Sequence, residues 1–174
     1  MEPDSVATDT VEQKFWLVSG NERQKLLRDF LLGQKPQRAI IFANRRDQTH
    51  RLVTYLSQKD IQCEGLAGDI PQKKRLSTLN RFKEGKLQYL IATDVAGRGI
   101  HVDGVTHVIN FELPDDPEDY VHRIGRTGRA GADGVAISFV SEDDAFNLPA
   151  LEEYLGNQIK CVQPDELNAN ASND

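Results

Sequence analysis

Cysteine is scarce in this sequence: Cys63 and Cys161 are the only two among 174 residues, and neither sits at metal-ligand spacing. That argues against a metal-binding fold and against a disulfide framework. A single disulfide stays open, but free thiols in a reducing cytoplasm fit better. No apolar run approaches the roughly 20 residues that a membrane helix needs, so no membrane association is expected. The first ten residues, MEPDSVATDT, are acidic and polar and lack the apolar stretch of a secretory signal. There is no GxxxxGK[ST] phosphate loop, because Gly85-Lys86 continues with Leu87. A platform for stacking bases is missing too: Phe15, Trp16, Phe42, Phe82, Phe111 and Phe139 mostly fall at core-like positions. No internal repeat is present.

What remains is long enough for one domain with a sizeable core. The formal net charge is -6, which by itself disfavours nucleic acid. The charge is unevenly spread, however. Residues 13–141 carry 20 bases against 15 acids, and both ends are acidic. A local basic face is therefore compatible with the acidic total.

Strand-like and helix-like segments alternate. Apolar runs at 14–18, 38–43, 62–66, 88–92, 106–111 and 134–140 read as strands. Helices are expected after Ser19, with Glu22 completing a capping box, then over 46–58, after a cap at Asp69, near 117–124 and over 142–155. Leu76, Leu79 and Phe82 are assigned to the core face of the helix after Asp69. Such alternation indicates an α/β fold, with a parallel sheet covered by helices on both faces. Ligands of such sheets collect at the carboxyl ends of the strands. Asn44-Arg45, Gly68 and Thr93-Asp94 follow three of the strands, so topology alone gathers them on one rim. Residues 1–12 read as a linker or flexible N-terminus, 13–160 as the domain, and 161–174 as a flexible acidic tail.

The most informative segment is His122-Arg123-Ile124-Gly125-Arg126-Thr127-Gly128-Arg129. Arginine carries a planar fork of donors suited to phosphate, and glycine allows close backbone approach. Taken alone, it reads more readily as a solvated basic loop. Upstream stand Ala92-Thr93-Asp94-Val95-Ala96-Gly97-Arg98-Gly99-Ile100 and Gly68-Asp69-Ile70-Pro71-Gln72-Lys73-Lys74-Arg75, and before them Ala39-Ile40-Ile41-Phe42-Ala43-Asn44. In this order the four segments resemble motifs VI, V, the Gln-x-x-Arg element and motif IV of the DEAD-box RNA helicases, from about Val11 to Gly156. The resemblance implies a single RecA-like domain, the second of two motor domains.

The resemblance also implies roles. Arg126 and Arg129 would be the catalytic arginines at the γ-phosphate of ATP, with Gly99 and His101 also in the ATP site. Asn44, Arg45, Gly68, Arg75 and Thr93 would contact the RNA backbone. Gln72, Asp94, Arg98 and His122 would couple this domain to the N-terminal RecA-like domain. Several simpler readings stay open: Thr93 as a strand-end cap, Arg98 as an internal ion pair, His122 as a core histidine, and Arg123 as a pair within the domain. Phosphate contacts of this kind make binding sequence-independent and salt-sensitive.

Three positions depart from the family pattern. Arg45 replaces a threonine, Gly97 an alanine, and His101 an aspartate that contacts the ATP ribose. His101, the segment FANRR and Asn147-Leu148-Pro149-Ala150-Leu151-Glu152 together resemble the proteobacterial RhlB type, which implies work beside the RNA degradosome and its endoribonuclease E scaffold. No Asp-Glu-Ala-Asp tetrad is present, so magnesium would be held with ATP by the N-terminal domain, and the chain alone is expected to be inactive. The competing functions are a non-catalytic docking module in an RNA-degradation assembly, or half of a superfamily-two DNA helicase.

Overall fold

A computed structural model describes residues 10–128 and 133–164. Seven strands form one sheet: β1 (Val11–Leu17), β2 (Ala39–Phe42), β3 (Cys63–Leu66), β4 (Tyr89–Ala92), β5 (His107–Asn110), β6 (Gly134–Val140) and β7 (Cys161–Val162). Their order is β3-β4-β2-β5-β6-β1-β7, and every pair is parallel. The helices are α1 (Arg23–Gln34), α2 (Arg46–Gln58), α3 (Gln72–Lys83), α4 (Asp94–Gly97), α5 (Pro117–Ile124) and α6 (Leu148–Leu155). Short 3-10 turns precede α1 and α6.

Alternation along each strand divides the core between the two faces. Trp16, Ile41, Ile91, Ile109, Phe111, Ile137 and Phe139 pack with Leu27 and Leu31 of α1 and Leu52 and Leu56 of α2. On the opposite face Ile40, Phe42 and Leu90 meet Phe82 of α3 and Ala96 of α4. Beside them Phe15, Ala136 and Val140 meet Tyr120 and Ile124 of α5 and Leu151 of α6. Covering both faces leaves the two edges and the two ends of the strands as the sheet's contact with solvent.

Several local details differ from the sequence reading. Val11 and Glu12, assigned to the linker, are strand residues paired with Gly134 and Val135. Cys161 and Val162, assigned to the tail, pair with Phe15 and Trp16. Two residues are too few for a periodicity to show, and only the neighbouring β1 makes them a strand. Ser19 makes no side-chain cap bond; Glu142, distant in sequence, accepts from the Gly20 N–H at 3.1 Å instead. Pro71, not Asp69, is the residue before α3, and Asp69 pairs with His50 of α2 at 2.9 Å. That contact holds the Asp69 carboxyl below its ordinary range. Leu76 is 51% exposed, while Phe82 is buried, so α3 turns a narrower face to the sheet than its leucines suggest. Both cysteines are free, and burial pushes the Cys63 thiol up to about 11. Among the described residues no helix is long and apolar enough to cross a membrane.

Candidate functional site

Parallel register sets the site. Leu66, Ala92, Phe42, Asn110, Ser138, Phe15 and Cys161 form one row across the sheet. The residues immediately after the row in β3, β4, β2 and β5 therefore emerge side by side at the carboxyl rim: Ala67-Gly68, Thr93-Asp94, Ala43-Asn44 and Phe111-Glu112. The sequence placed Gly68, Thr93-Asp94 and Asn44-Arg45 there, at the ends of the first three of these strands. Strand pairing adds the fourth.

Arg123 of α5 ties the rim together. Its side chain is 1% exposed, and all five guanidinium N–H groups have acceptors. Nε donates to Asp94 Oδ1 at 2.6 Å and Nη2 to Asp94 Oδ2 at 2.7 Å. Nη2 also donates to Asn44 Oδ1 at 2.7 Å. Nη1 donates to Asn110 Oδ1 at 3.2 Å and to the Glu112 carbonyl at 2.8 Å. The guanidinium lies over the Phe42 ring, 5.3 Å from its centroid. A lysine offers one point charge and no planar fork, so it cannot reproduce this set. Of the open readings for Arg123, pairing within the domain is what the geometry contains.

Asn44 is consequently turned inward. Its Oδ1 accepts from Arg123, its Nδ2 donates to the Leu113 carbonyl at 3.1 Å and its backbone N–H donates to Glu112 at 3.0 Å. The side-chain oxygen and one of the two amide N–H groups are thus engaged within the domain. Arg45, the next residue, is exposed and pairs with Asp47 at 3.1 Å, a contact that lowers the Asp47 carboxyl. Thr93 is buried and caps α4, its hydroxyl accepting from the Ala96 N–H at 3.4 Å. Its own N–H donates to the Leu66 carbonyl at 3.3 Å, which fastens the ends of β3 and β4. The strand-end cap reading of Thr93 is therefore present in the geometry. Asp94 meets Arg123, as an orienting residue of the loop would. Val95 beside it is 70% exposed on the rim, an apolar residue that nothing in the pattern singled out.

Gly97 has a packing reason. A Cβ built there would lie 2.7 Å from the Phe42 ring, and that ring carries the Arg123 guanidinium. An alanine would have to displace the platform under the keystone. Gly99 adopts a φ of +76°, a left-handed conformation that glycine takes without strain. Gly68 is exposed with no atom within 4 Å of an added Cβ, so the backbone there is open to close approach. Arg75 of α3 leans inward, Nη2 donating to the Ala96 carbonyl at 2.9 Å. This uses one of its five donors and links α3 to α4. Gln72, on the first turn of α3, is exposed.

Motif VI borders a small cleft lined by Phe42, Asp94, Gly97, Arg98, Gly99, Asp119, His122, Arg123 and Arg126. Arg126 is half-buried there. Nη1 donates to the Ile100 carbonyl at 2.7 Å and Nε to the His122 carbonyl at 3.3 Å. Arg98 stands 3.8 Å from Asp119, and His122 stands 3.8 Å from Glu118. His122 is half-exposed on the cleft, so a core position is ruled out for it. His101 is exposed at the end of the same loop. Gly128, at a φ of +67°, accepts from the Thr10 hydroxyl at 2.7 Å, which pins the tip of motif VI to the start of β1. Arg129 lies outside the described residues. The donor set suits an anion. The cleft's carboxylates, Asp94 and Asp119, face Arg123 and Arg98, and among the described residues no group of three or more His, Cys, Asp or Glu is arranged to hold a metal.

Comparison with known proteins agrees with this arrangement. Residues 22–131 match the helicase conserved C-terminal domain. The chain is 54% identical over 160 residues to the ATP-dependent RNA helicase RhlB of Pseudomonas syringae pv. tomato, covering 92% of this chain and 40% of that protein. It is 46% identical over 163 residues to RhlB of Haemophilus influenzae, covering 94% of this chain and 39% of that one. It thus spans about two fifths of the length of these curated relatives. E. coli DEAD-box protein SrmB, solved bound to regulator of ribonuclease activity A, superposes with a TM-score of 0.83 at 37% identity, over 90% of this chain and 93% of that one. S. cerevisiae Dbp5, solved bound to RNA and ADP BeF3, superposes with a TM-score of 0.85 at 30% identity, over 99% of this chain and 47% of that one. Four ordered motifs on one rim, a seven-stranded parallel sheet and these similarities make the chain a member of the DEAD-box RNA helicases, a helicase C-terminal, RecA-like domain similar to that of RhlB.

Proposed function

We propose that this domain is the second motor domain of an ATP-dependent RNA helicase that unwinds short duplexes locally. The observation that carries the reading is the Arg123 network, which joins motifs IV, V and VI into one rigid rim. A rim of this kind presents arginines and backbone to two polyanions at fixed spacing.

In this reading Arg126, together with Arg129, faces the γ-phosphate when the N-terminal RecA-like domain closes on the cleft. Developing negative charge on the phosphoryl oxygens is met by the Arg126 guanidinium, already oriented by the Ile100 and His122 carbonyls, so little reorganisation is needed there. Gly99 and His101 border the nucleotide on the same side. Magnesium belongs with carboxylates of the N-terminal domain, since this cleft has none to spare. RNA backbone lies along Gly68, Arg45, Arg75 and the Thr93 turn, with Asn44 acting through Arg123. Gln72, Asp94, Arg98 and His122 transmit closure between the two ligand sites. Bending the bound strand expels its complement, and reopening releases it.

The setting we infer is the cytoplasm, in RNA degradation, with endoribonuclease E as a scaffold. The similarity to RhlB supports it, as does SrmB's capture of a ribonuclease regulator. The DEAD-box membership disfavours the DNA-helicase alternative.

The decisive experiment is Arg126→Ala in a protein carrying both motor domains. RNA-stimulated kcat should fall by roughly 10³-fold or more, with nucleotide-free RNA binding little changed. A kcat within a few-fold of the parent would make Arg126 structural. The chain alone, given saturating RNA, should release no phosphate above background; robust turnover would overturn the division of labour.

A further inference from the structure

A second cavity, of about 320 Å3, opens between α1 and the sheet. Trp16 of β1, Ile137 of β6 and His107 of β5 form its floor, and Phe30 and Gly33 of α1 its roof. His107 begins β5, so the cavity reaches toward the amino ends of the strands, away from the phosphate-binding rim. We propose that this cavity binds a flat, uncharged aromatic ring system carrying a hydrogen-bond acceptor.

Four independent features point to that chemistry. The volume is at the lower end for ligand sites, about 300 Å3 upward, and suits one fused ring pair with a substituent. The walls are aromatic: Phe30 stands edge-on to Trp16, centroids 5.6 Å apart, and edge-on to His107 at 5.9 Å. Such walls receive another ring by offset stacking or by edges. Trp16 is only 6% exposed, and its indole N–H is the one buried side-chain polar atom without a partner among the described residues. A donor withdrawn from water and left unpaired favours a guest that brings an acceptor, which it meets by a shift of the indole that opens its N–H to the cavity. Finally, the charges at the mouth are already neutralised, Lys14 by Glu12 at 3.6 Å and Asp29 by Arg28 at 2.9 Å. A phosphate or carboxylate guest would meet Asp29 with no unpaired cation to offset it.

The imidazole of His107 fits an uncharged guest as well. Its Nδ1 lies 2.9 Å from the Thr106 hydroxyl, and burial holds its pKa below the ordinary histidine value. Gly33 explains why the roof is open: no atom lies within 4 Å of a Cβ built on it.

Trp16 is the only tryptophan, so its indole N–H yields a single signal in ¹H–¹⁵N spectra. The chain is titrated with 2-quinolinone and with indole-3-carboxamide, and in a third arm with inorganic phosphate. The expected result is a saturable shift of the indole signal with one or both ring compounds, and none with phosphate. Gly33→Phe fills the cavity from α1 and Val135→Phe from β6. Each should weaken binding at least tenfold, while Gly33→Ala retains it. Circular dichroism and melting establish which variants fold, and either folded phenylalanine variant suffices. The proposal is overturned if neither ring compound saturates the indole signal, if a folded phenylalanine variant binds as tightly as the parent, or if phosphate alone produces the saturable shift.

Discussion

Replacing Arg123 with lysine tests the rim most directly. The substitution keeps the charge and removes the fork. Lysine can satisfy Asp94, but its single ammonium cannot also reach Asn44, Asn110 and the Glu112 carbonyl, which surround the guanidinium on different sides. Asn110 is fully buried, so its oxygen loses a partner that water cannot easily replace. Breaking a buried pair costs about 3–5 kcal/mol when one partner is removed. Lysine retains part of the Coulomb attraction, and Asp94 has some solvent access, so about 2–4 kcal/mol is expected for Arg123→Lys. That is a large share of the roughly 5–15 kcal/mol that stabilises a domain. Urea unfolding of the chain measures it: the midpoint should fall with the slope unchanged. A companion cycle with Asp94→Asn should give a coupling of at least about 1 kcal/mol. If Arg123→Lys lies within about 0.5 kcal/mol of the parent, or the coupling vanishes, the network is geometry without energetic weight and the argument for a rigid rim fails.

Two further outcomes are expected. Arg75→Ala, in a protein carrying both motor domains and bound to an ATP analogue, should weaken RNA binding uniformly across sequences and reduce the salt slope by about one phosphate contact; unchanged affinity and slope would leave Arg75 with only its bond to Ala96. Burial holds His107 below 6.5, so the unfolded chain takes up a proton that the folded chain refuses, and stability should decline as pH drops through 6.5 toward the lower folded value. His107→Gln should flatten the change in melting temperature between about pH 7.5 and pH 5.5, and a variant that keeps the parent's pH dependence would assign it to other groups.

The sequence by itself determined the alternation of strands and helices, because burial on both sides of a parallel sheet demands continuous apolar runs at strands and one apolar stripe on each helix. It also marked motifs V and VI as the candidate segments for chemistry, since arginine and glycine in motif VI and the Thr-Asp turn of motif V have few bland equivalents in combination. What it left open was the direction each polar side chain takes. Asn44 and Arg45 are neighbours with similar phosphate-binding credentials, yet one is consumed by Arg123 and the other is exposed, and only strand register and the placement of α5 separate them. Gly97 reads as a departure from a pattern until the Phe42 ring is found beneath it. Ser19 and Asp69 have capping chemistry, but Glu142 and His50, distant in sequence, decide what happens at those turns. β7 exists only because β1 offers an unpaired edge. In each case the deciding contact joins residues far apart in the chain, and such contacts depend on tertiary packing, which no local pattern encodes.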